Sequence, residues 1–307
     1  MNTRKLRHKI RDSWKILKQS LLHFTTNNPI GMAGTTAYFT IFSIAPMLII
    51  IISVFGLFAS DVAIRTKLFN ELNTLVGEKS SDLLQEAINN YHITENSGIG
   101  AIIGIAVFLF SATTLFSYMQ NSINFIWRIR VKQKLKLNLL KLLRDRLFSF
   151  GIILSLGLVL LISLVIEALI GLLHDFLSRL FEPGFLVTIN LARMVLSLIL
   201  TTTIFAFIFR FLPDVKVRWT ASWFGAISSA ILFFIGKYLI GFIIGNSQLG
   251  MIYGAASSLI ILLIWVYYVS LIFYFGVEIS YQYSNFYGHK NTPLNFAEPF
   301  EITAADN

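Results

Sequence analysis

Cysteine is absent from the 307 residues, so the chain has no disulfide framework, no thiolate nucleophile and no cysteine metal site. Charge is scarce as well: 13% of residues are Asp, Glu, Lys or Arg, against roughly 25% in an ordinary soluble domain. The five histidines, His8, His23, His92, His174 and His289, are scattered and show neither H-x-H nor H-x-x-x-H spacing. Metal-dependent hydrolysis needs clustered His and carboxylate ligands, so the pattern argues against it. No P-loop pattern G-x-x-x-x-G-K-[ST] occurs, and any transport would be secondary or driven by a partner. The expectation is therefore a chain that is not an enzyme and carries no cofactor and no metal. No repeat of 20 to 50 residues is visible, and one membrane domain covers residues 1–283.

What the sequence has in excess is hydrophobicity, 55% of residues, gathered in long runs with a helical period. Runs of this length belong in lipid, where only helices or closed barrels satisfy the backbone, and nothing here alternates as a barrel strand would. The expected fold is all-α: a polytopic membrane protein with a bundle of six transmembrane helices plus an N-terminal interfacial amphipathic helix. The spans fall at about 31–59, 99–119, 147–173, 185–212, 219–244 and 250–283. The first is far longer than a signal-peptide core and lacks an A-x-A-like cleavage site. Pro46 removes a backbone hydrogen bond from the first span and is expected to kink it, as packing or as a gate. Gly100-x-x-x-Gly104 and Gly241-x-x-x-Gly245 carry the small-residue spacing that lets membrane helices approach closely. Between the first two spans, Leu83, Leu84, Ala87, Ile88 and Tyr91 form one stripe and predict a short amphipathic helix on the outer face.

Of the 25 Lys and Arg, nineteen lie in the N-terminal segment, in the collar 128–146, around the turn 210–218 and in the tail. The positive-inside rule then puts both termini in the cytoplasm. In residues 1–29, Arg4, Lys5, Arg7, Lys9, Arg11, Lys15 and Lys18 alternate with Leu6, Ile10, Trp14, Leu17 and Leu21 at helical spacing. Such a helix lies on the cytoplasmic face, drawn by anionic lipid at about 1 kcal/mol per basic residue; a solvated basic tail is the alternative. Residues 284–307 read as a polar cytoplasmic tail, with Pro293 and Pro299, disordered at its end.

Ionisable residues inside spans are costly, at least ~2.5 kcal/mol each on insertion scales, and mark functional positions. At about 1.5 Å per residue, Glu167, Arg193 and Lys237 fall at one level in the outer half of the membrane. They form either a shared charged layer or three side chains reaching separately for headgroups. Glu278 falls at the cytoplasmic end of the sixth span, with Arg210, Arg218 and Asn121 as expected partners. It reads either as a gate or as a clamp between helix ends, below a passage lined by Thr36, Thr40, Ser43, Ser257 and Ser258. These seven residues, Glu167, Arg193, Lys237, Glu278, Asn121, Arg210 and Arg218, are the candidate gate or substrate contacts.

Four stretches carry a family resemblance: GTTAYFTIFSIAPMLIIIISVFG, FLFSATTLFSYMQNSINFIWRIR, FRFLPDVKVRW and SQLGMIYGAASSLIILLIWVYYVSLIFYFGVEIS. Together they reach from about residue 31 to 283 and resemble the YihY/BrkB family of bacterial inner-membrane proteins, whose older label is ribonuclease BN. The family usually has a small residue where this chain has Val277. The resemblance implies a six-helix, multi-pass protein of the bacterial inner membrane, with some members proposed to export solutes or to assist envelope lipid traffic. The expected function is transport or export of a small polar or amphiphilic solute, lipid-derived ones included; the alternatives are a non-transporting envelope assembly or scaffold protein and, third, a hydrolase or ribonuclease. The partners expected are membrane lipids and a small-molecule or lipid-like substrate, not nucleic acid. A homo-oligomer is compatible with the sequence.

Overall fold

The computed structural model describes residues 3–55, 61–94, 114–132, 184–245, 253 and 256–301. Helix α1 (Thr3–Thr26) gives way to α2 (Pro29–Phe55) through Asn28, which takes the left-handed conformation at φ 52°. The Asn28 side chain accepts the Gly31 amide at 3.2 Å and its carbonyl accepts that of Met32 at 3.1 Å. Pro29 fills the first helical position, where a missing N–H costs nothing. Helix α2 then continues as one element through Pro46.

The remaining helices are α3 (Asp61–Val76), α4 (Glu78–Thr94), α5 (114–126), α6 (Gly184–Phe211), α7 (Trp219–Gly245) and α8 (Ser257–Phe286). Met194–Phe211, Trp219–Ile240 and Ser257–Phe286 are, among the described residues, the stretches long and apolar enough to cross a membrane. Helix α8 has 30 residues, about 45 Å at the usual rise, half as long again as the hydrocarbon core. It packs against α2 and α7 along its length and also touches α1, α3, α4 and α6, so it is the hub of the fold.

Helix α7 shows why these segments assemble in lipid. Its inward face is small, with Ala221, Ser222, Ala226, Ser229 and Ala230 buried, while Ile227, Ile231, Ile235 and Phe242 stay exposed. Small residues inside let backbones approach, and large apolar ones outside meet acyl chains. Gly225 and Gly276 make the tightest contact: a Cβ on Gly225 would run into the Gly276 carbonyl and the Ser280 hydroxyl, and one on Gly276 into the Ser229 hydroxyl. Gly236 lies against the Tyr268 ring in the same seam.

Where one amphipathic helix was expected between the first two spans, there are two. Gly77, at φ 82°, turns α3 into α4, and the pair covers one end of the bundle. Ile64, Leu68 and Phe69 of α3 and Leu84 and Ile88 of α4 are buried with Leu48, Ile52, Ile240, Leu262 and Trp265. The Ser80 hydroxyl donates to the Ser258 carbonyl at 3.0 Å and fixes the hairpin on α8.

Helix α1 is no solvated tail. Ile16, Ser20 and Phe24, one residue per turn, are buried against α8, and the Phe24 ring lies 5.1 Å from that of Phe275. Toward the other end of α1, Asp12 is close enough to the Tyr287 phenol to add, after burial and Tyr283, to the upward push on its pKa. Helix α1 therefore follows the last turns of α8 in the opposite direction.

The all-α expectation needs a correction at the C-terminus. Residues 284–286 extend α8, and the chain then adds β3 (Thr292–Pro293) and β4 (Ala297–Pro299) to β2 (Val215–Lys216) and β1 (Ile129–Val131) in two antiparallel pairs. Lys132 N–H donates to the Phe296 carbonyl at 2.9 Å, Phe300 N–H to Arg128 at 3.0 Å and Leu294 N–H to Asp214 at 3.0 Å. Arg130 and Glu298 face each other across the first pair at 2.9 Å, but both are solvated and such pairs add little. The segment to residue 301 is thus a strap tying α5, the α6–α7 turn and α8. Deleting residues 290–307 is expected to lower stability by about 3 kcal/mol or more, from these three backbone hydrogen bonds at about 1 kcal/mol each and the two strand pairs besides. A melting curve of the purified protein in mild detergent checks this; an unchanged midpoint would show that the strap adds nothing.

Candidate functional site

Glu278 is wholly buried, at 0% exposure, on the last turns of α8. A carboxylate so placed needs its oxygens satisfied, and two neutral amides do so. Asn27 Nδ2 donates to Oε2 at 2.9 Å, and Gln282 Nε2, one turn along the same helix face, donates to Oε1 at 2.8 Å. Behind Asn27 stands Arg128, whose Nη2 donates to Asn27 Oδ1 at 2.9 Å. That bond fixes the Asn27 amide, because an oxygen held by the guanidinium leaves only the NH2 to face Glu278. The positive charge thus reaches the carboxylate through an intervening amide.

Arg128 earns its position through backbone geometry. It takes the left-handed conformation at φ 58°, its N–H donates to the Phe125 carbonyl at 3.1 Å, and its own carbonyl receives the strap through Phe300. The guanidinium lies 5.3 Å from the Phe125 ring centroid. Three separate segments therefore converge on Glu278: the α1–α2 junction, the end of α5 and α8 itself.

One turn toward the bundle interior, Tyr274 meets Thr36 at 2.6 Å. Thr36 already donates to the Met32 carbonyl at 2.9 Å, so Tyr274 is the donor between them. On the α7 side of the same turns of α8 is the glycine seam, where Ser280 Oγ donates to the Ala221 carbonyl at 2.8 Å and Ser229 Oγ to the Ile272 carbonyl at 3.4 Å.

A second buried carboxylate, Asp214, organises the α6–α7 turn. Its Oδ1 accepts Gln120 Nε2 at 3.1 Å and its Oδ2 accepts Asn124 Nδ2 at 2.8 Å, while its own N–H donates to Asn124 Oδ1 at 2.8 Å. Gln120 Nε2 also reaches the Leu212 carbonyl at 3.3 Å. Two amides of α5 thereby grip the turn that the strap holds from the other side. Beside this knot, Asn121, Asn124, Phe125, Ile129, Arg130, Val131 and Phe300 line an open cleft of about 330 Å³.

The partners expected for Glu278 are corrected by this arrangement. Arg210 instead lies over the Trp219 ring, 5.4 Å from its centroid. Arg218 is exposed at the start of α7, where its carbonyl accepts the amides of Ala221 and Ser222 at 3.1 Å. Asn121 is exposed on the cleft. Asn27, Arg128 and Gln282 take the three places. Lys237 is half-buried on α7, and Arg193 belongs to α6. Glu167, both ends of the Gly100-x-x-x-Gly104 motif, the third span and most of the collar 128–146 lie outside the described residues. The hydroxyls of Thr36, Thr40 and Ser43, expected to line a passage, bond to carbonyls one turn back in α2 at 2.9, 2.7 and 2.9 Å. Among the described residues no group of three or more His, Asp or Glu could hold a metal ion.

Asp214 and Asn27 are among the residues that sequence reasoning missed, with Arg128 and Gln282. A signal existed for the first two: an Asp inside a turn between two apolar runs, facing amides that end a preceding span, and an Asn pair just before Pro29. The i, i+4 spacing of Glu278 and Gln282 was equally readable.

Comparison with known proteins fits this picture. The UPF0761 membrane protein of Psychromonas ingrahamii is 32% identical over 256 residues, covering 81% of this chain and 80% of that protein. A UPF0761 membrane protein of Aliivibrio fischeri is 27% identical over 297 residues, covering 92% of this chain and 88% of its own. One of Haemophilus influenzae is 26% identical over 262 residues, with coverages of 84% and 90%. No solved structure matches the chain. The family model described as virulence factor BrkB matches residues 21–298, which include Asn27, Asp214 and Glu278, and the chain therefore belongs to this family of bacterial integral membrane proteins.

Proposed function

We propose that the protein is a transporter or exporter of a small polar or amphiphilic solute, lipid-derived in the broad sense, and that the Glu278 network is its cytoplasmic closure. The reading places six spans in the bacterial inner membrane, with α2, α6, α7 and α8 among them, and both termini in the cytoplasm. It rests on one observation: a fully buried carboxylate at the meeting point of three segments, held by the amides of Asn27 and Gln282. Hydrogen bonds to a charged group contribute about 1.5–3 kcal/mol each net, because water or a polar solute can replace them, so a solute that offers the same donors can open a closure built from two of them.

Glu278→Gln tests the idea without removing the fold. Its new NH2 group needs one acceptor, and Gln282 supplies it by turning its amide, while Asn27 stays on Arg128. The expected result in proteoliposomes is normal folding and protein level with efflux of polar solutes and short-chain fluorescent lipids abolished, and the same for Lys237→Met. Full efflux in both variants would remove these residues from the mechanism.

A second reading, a non-transporting envelope assembly protein, is favoured by the cleft between α5 and the strap, whose aromatic walls Phe125 and Phe300 suit a docked peptide. It predicts a stable heteromeric complex after mild detergent extraction. Recovery of this chain alone would count against it.

A further inference from the structure

Helix α1 turns one face to α8 and leaves another bare. With Ile16, Ser20 and Phe24 facing α8, the opposite side carries Trp14, Lys18, Leu21 and Leu22, with Lys18 three or four residues from each of the others. Trp14 is 69% exposed and Leu22 61%, an unusual cost for an isolated helix in water. Their level is set by the packing. Phe24 lies beside Phe275, and the Gly225 contact with Gly276 and Ser280 puts that part of α8 level with the first turns of α7, which begin at the exposed Trp219 and Trp223. Exposed tryptophans at the start of an apolar helix mark the headgroup layer. The C-terminal half of α1 therefore sits in that layer, with Leu21 and Leu22 toward the acyl chains and the lysines toward water. The far end of the same helix leads directly into Asn27, which holds Glu278.

We infer that α1 is a binding element for anionic phospholipid headgroups, which Lys15 and Lys18 hold beside Trp14, and that lipid bound there steadies Asn27 on Glu278. The chemistry fits one occupant. Lys15 and Lys18 supply the charge that anionic headgroups match, Trp14 supplies an amphipathic ring for the interface, and Leu21 and Leu22 supply apolar depth. The inference uses the observed network and does not rest on the transport reading.

Hydrogen exchange of the full chain in nanodiscs tests it, comparing pure phosphatidylcholine with 30% phosphatidylglycerol. Phosphatidylglycerol is expected to slow exchange at least threefold in two peptides, one within residues 11–24 and one within 276–284. In the double variant Lys15→Gln/Lys18→Gln both effects should vanish, while exchange in pure phosphatidylcholine stays as in the unaltered protein. In Asn27→Ala the α1 effect should persist and the α8 effect should be lost. Equal exchange of α1 in the two bilayers, or full slowing in the double variant, would overturn the assignment. Slowing of α1 alone in the unaltered protein would overturn the link to Glu278. Because no solute flux is measured, the outcome is independent of whether Glu278→Gln blocks efflux.

Discussion

Gly276→Leu is expected to leave almost no folded protein. A Cβ at this position would meet the Ser229 hydroxyl and, at 2.8 Å, the Phe209 ring. The ring cannot retreat: Phe209 is itself buried, with its ring 5.8 Å from that of Phe205 and 5.4 Å from that of Phe273. Across the seam the Gly276 carbonyl sits where any Cβ on Gly225 would have to go, so α7 cannot slide to make room. Overpacking of a well-filled core usually costs about 1–3 kcal/mol, and here the helices α6, α7 and α8 must separate together, so the loss should exceed ~3 kcal/mol. The readout is the monodisperse fraction on fluorescence-detected size exclusion and its thermal midpoint. Gly276→Ala should be milder, and Ser229→Gly should partly rescue it by clearing the nearer obstacle. A leucine variant within ~1 kcal/mol of the unaltered protein would mean that the seam is looser than the coordinates require.

Asp214→Ala is the second change expected to be severe. It removes the acceptor for Gln120 Nε2 and Asn124 Nδ2, both on buried side chains of α5, and leaves the α6–α7 turn held to that helix by the residue 214 N–H on Asn124 Oδ1 and by Gln120 on the Leu212 carbonyl. Each buried donor left without a partner costs about 1–3 kcal/mol, so a loss of about 4 kcal/mol is expected for the pair. Gln120 keeps its weaker contact to the Leu212 carbonyl, at 3.3 Å, which softens its share. Asn124→Ala alone should cost less, and the double variant should cost little more than Asp214→Ala, because the residues act as one unit. Additive losses in that cycle, measured by unfolding in detergent, would show that the amides and the carboxylate are not coupled.

The long helices were legible because length and hydropathy dictate them: α7 begins at Trp219, where the basic turn ends, and α8 falls on the sixth expected span, 250–283, and runs three residues past it. Glu278 was legible as the costly residue of that helix. Its partners were not. Asn27 is 251 residues away in sequence, and no local period announces a contact at that distance. The strap was hidden for a different reason: strands of two and three residues are too short to show an alternating pattern, and two prolines argued for a loose tail. The helix seam fell between these cases. Gly225-x-x-x-Ser229 and Gly276-x-x-x-Ser280 follow the same small-residue rule as the glycine pairs that were noticed, with a hydroxyl in the second place.

The strap also has a consequence for biosynthesis. Arg130 is made 168 residues before Glu298, its opposite number in the first strand pair. At roughly 5–20 residues per second, the edge at Ile129–Val131 waits on the order of 10–30 seconds for its mate. During that interval the helices already in the bilayer have an unfinished end, with the Arg128 carbonyl lacking the Phe300 amide that it will accept. Completion of this end therefore waits until residues 292–299 have been made, and a nascent chain truncated before residue 290 should be the form that membrane quality control removes.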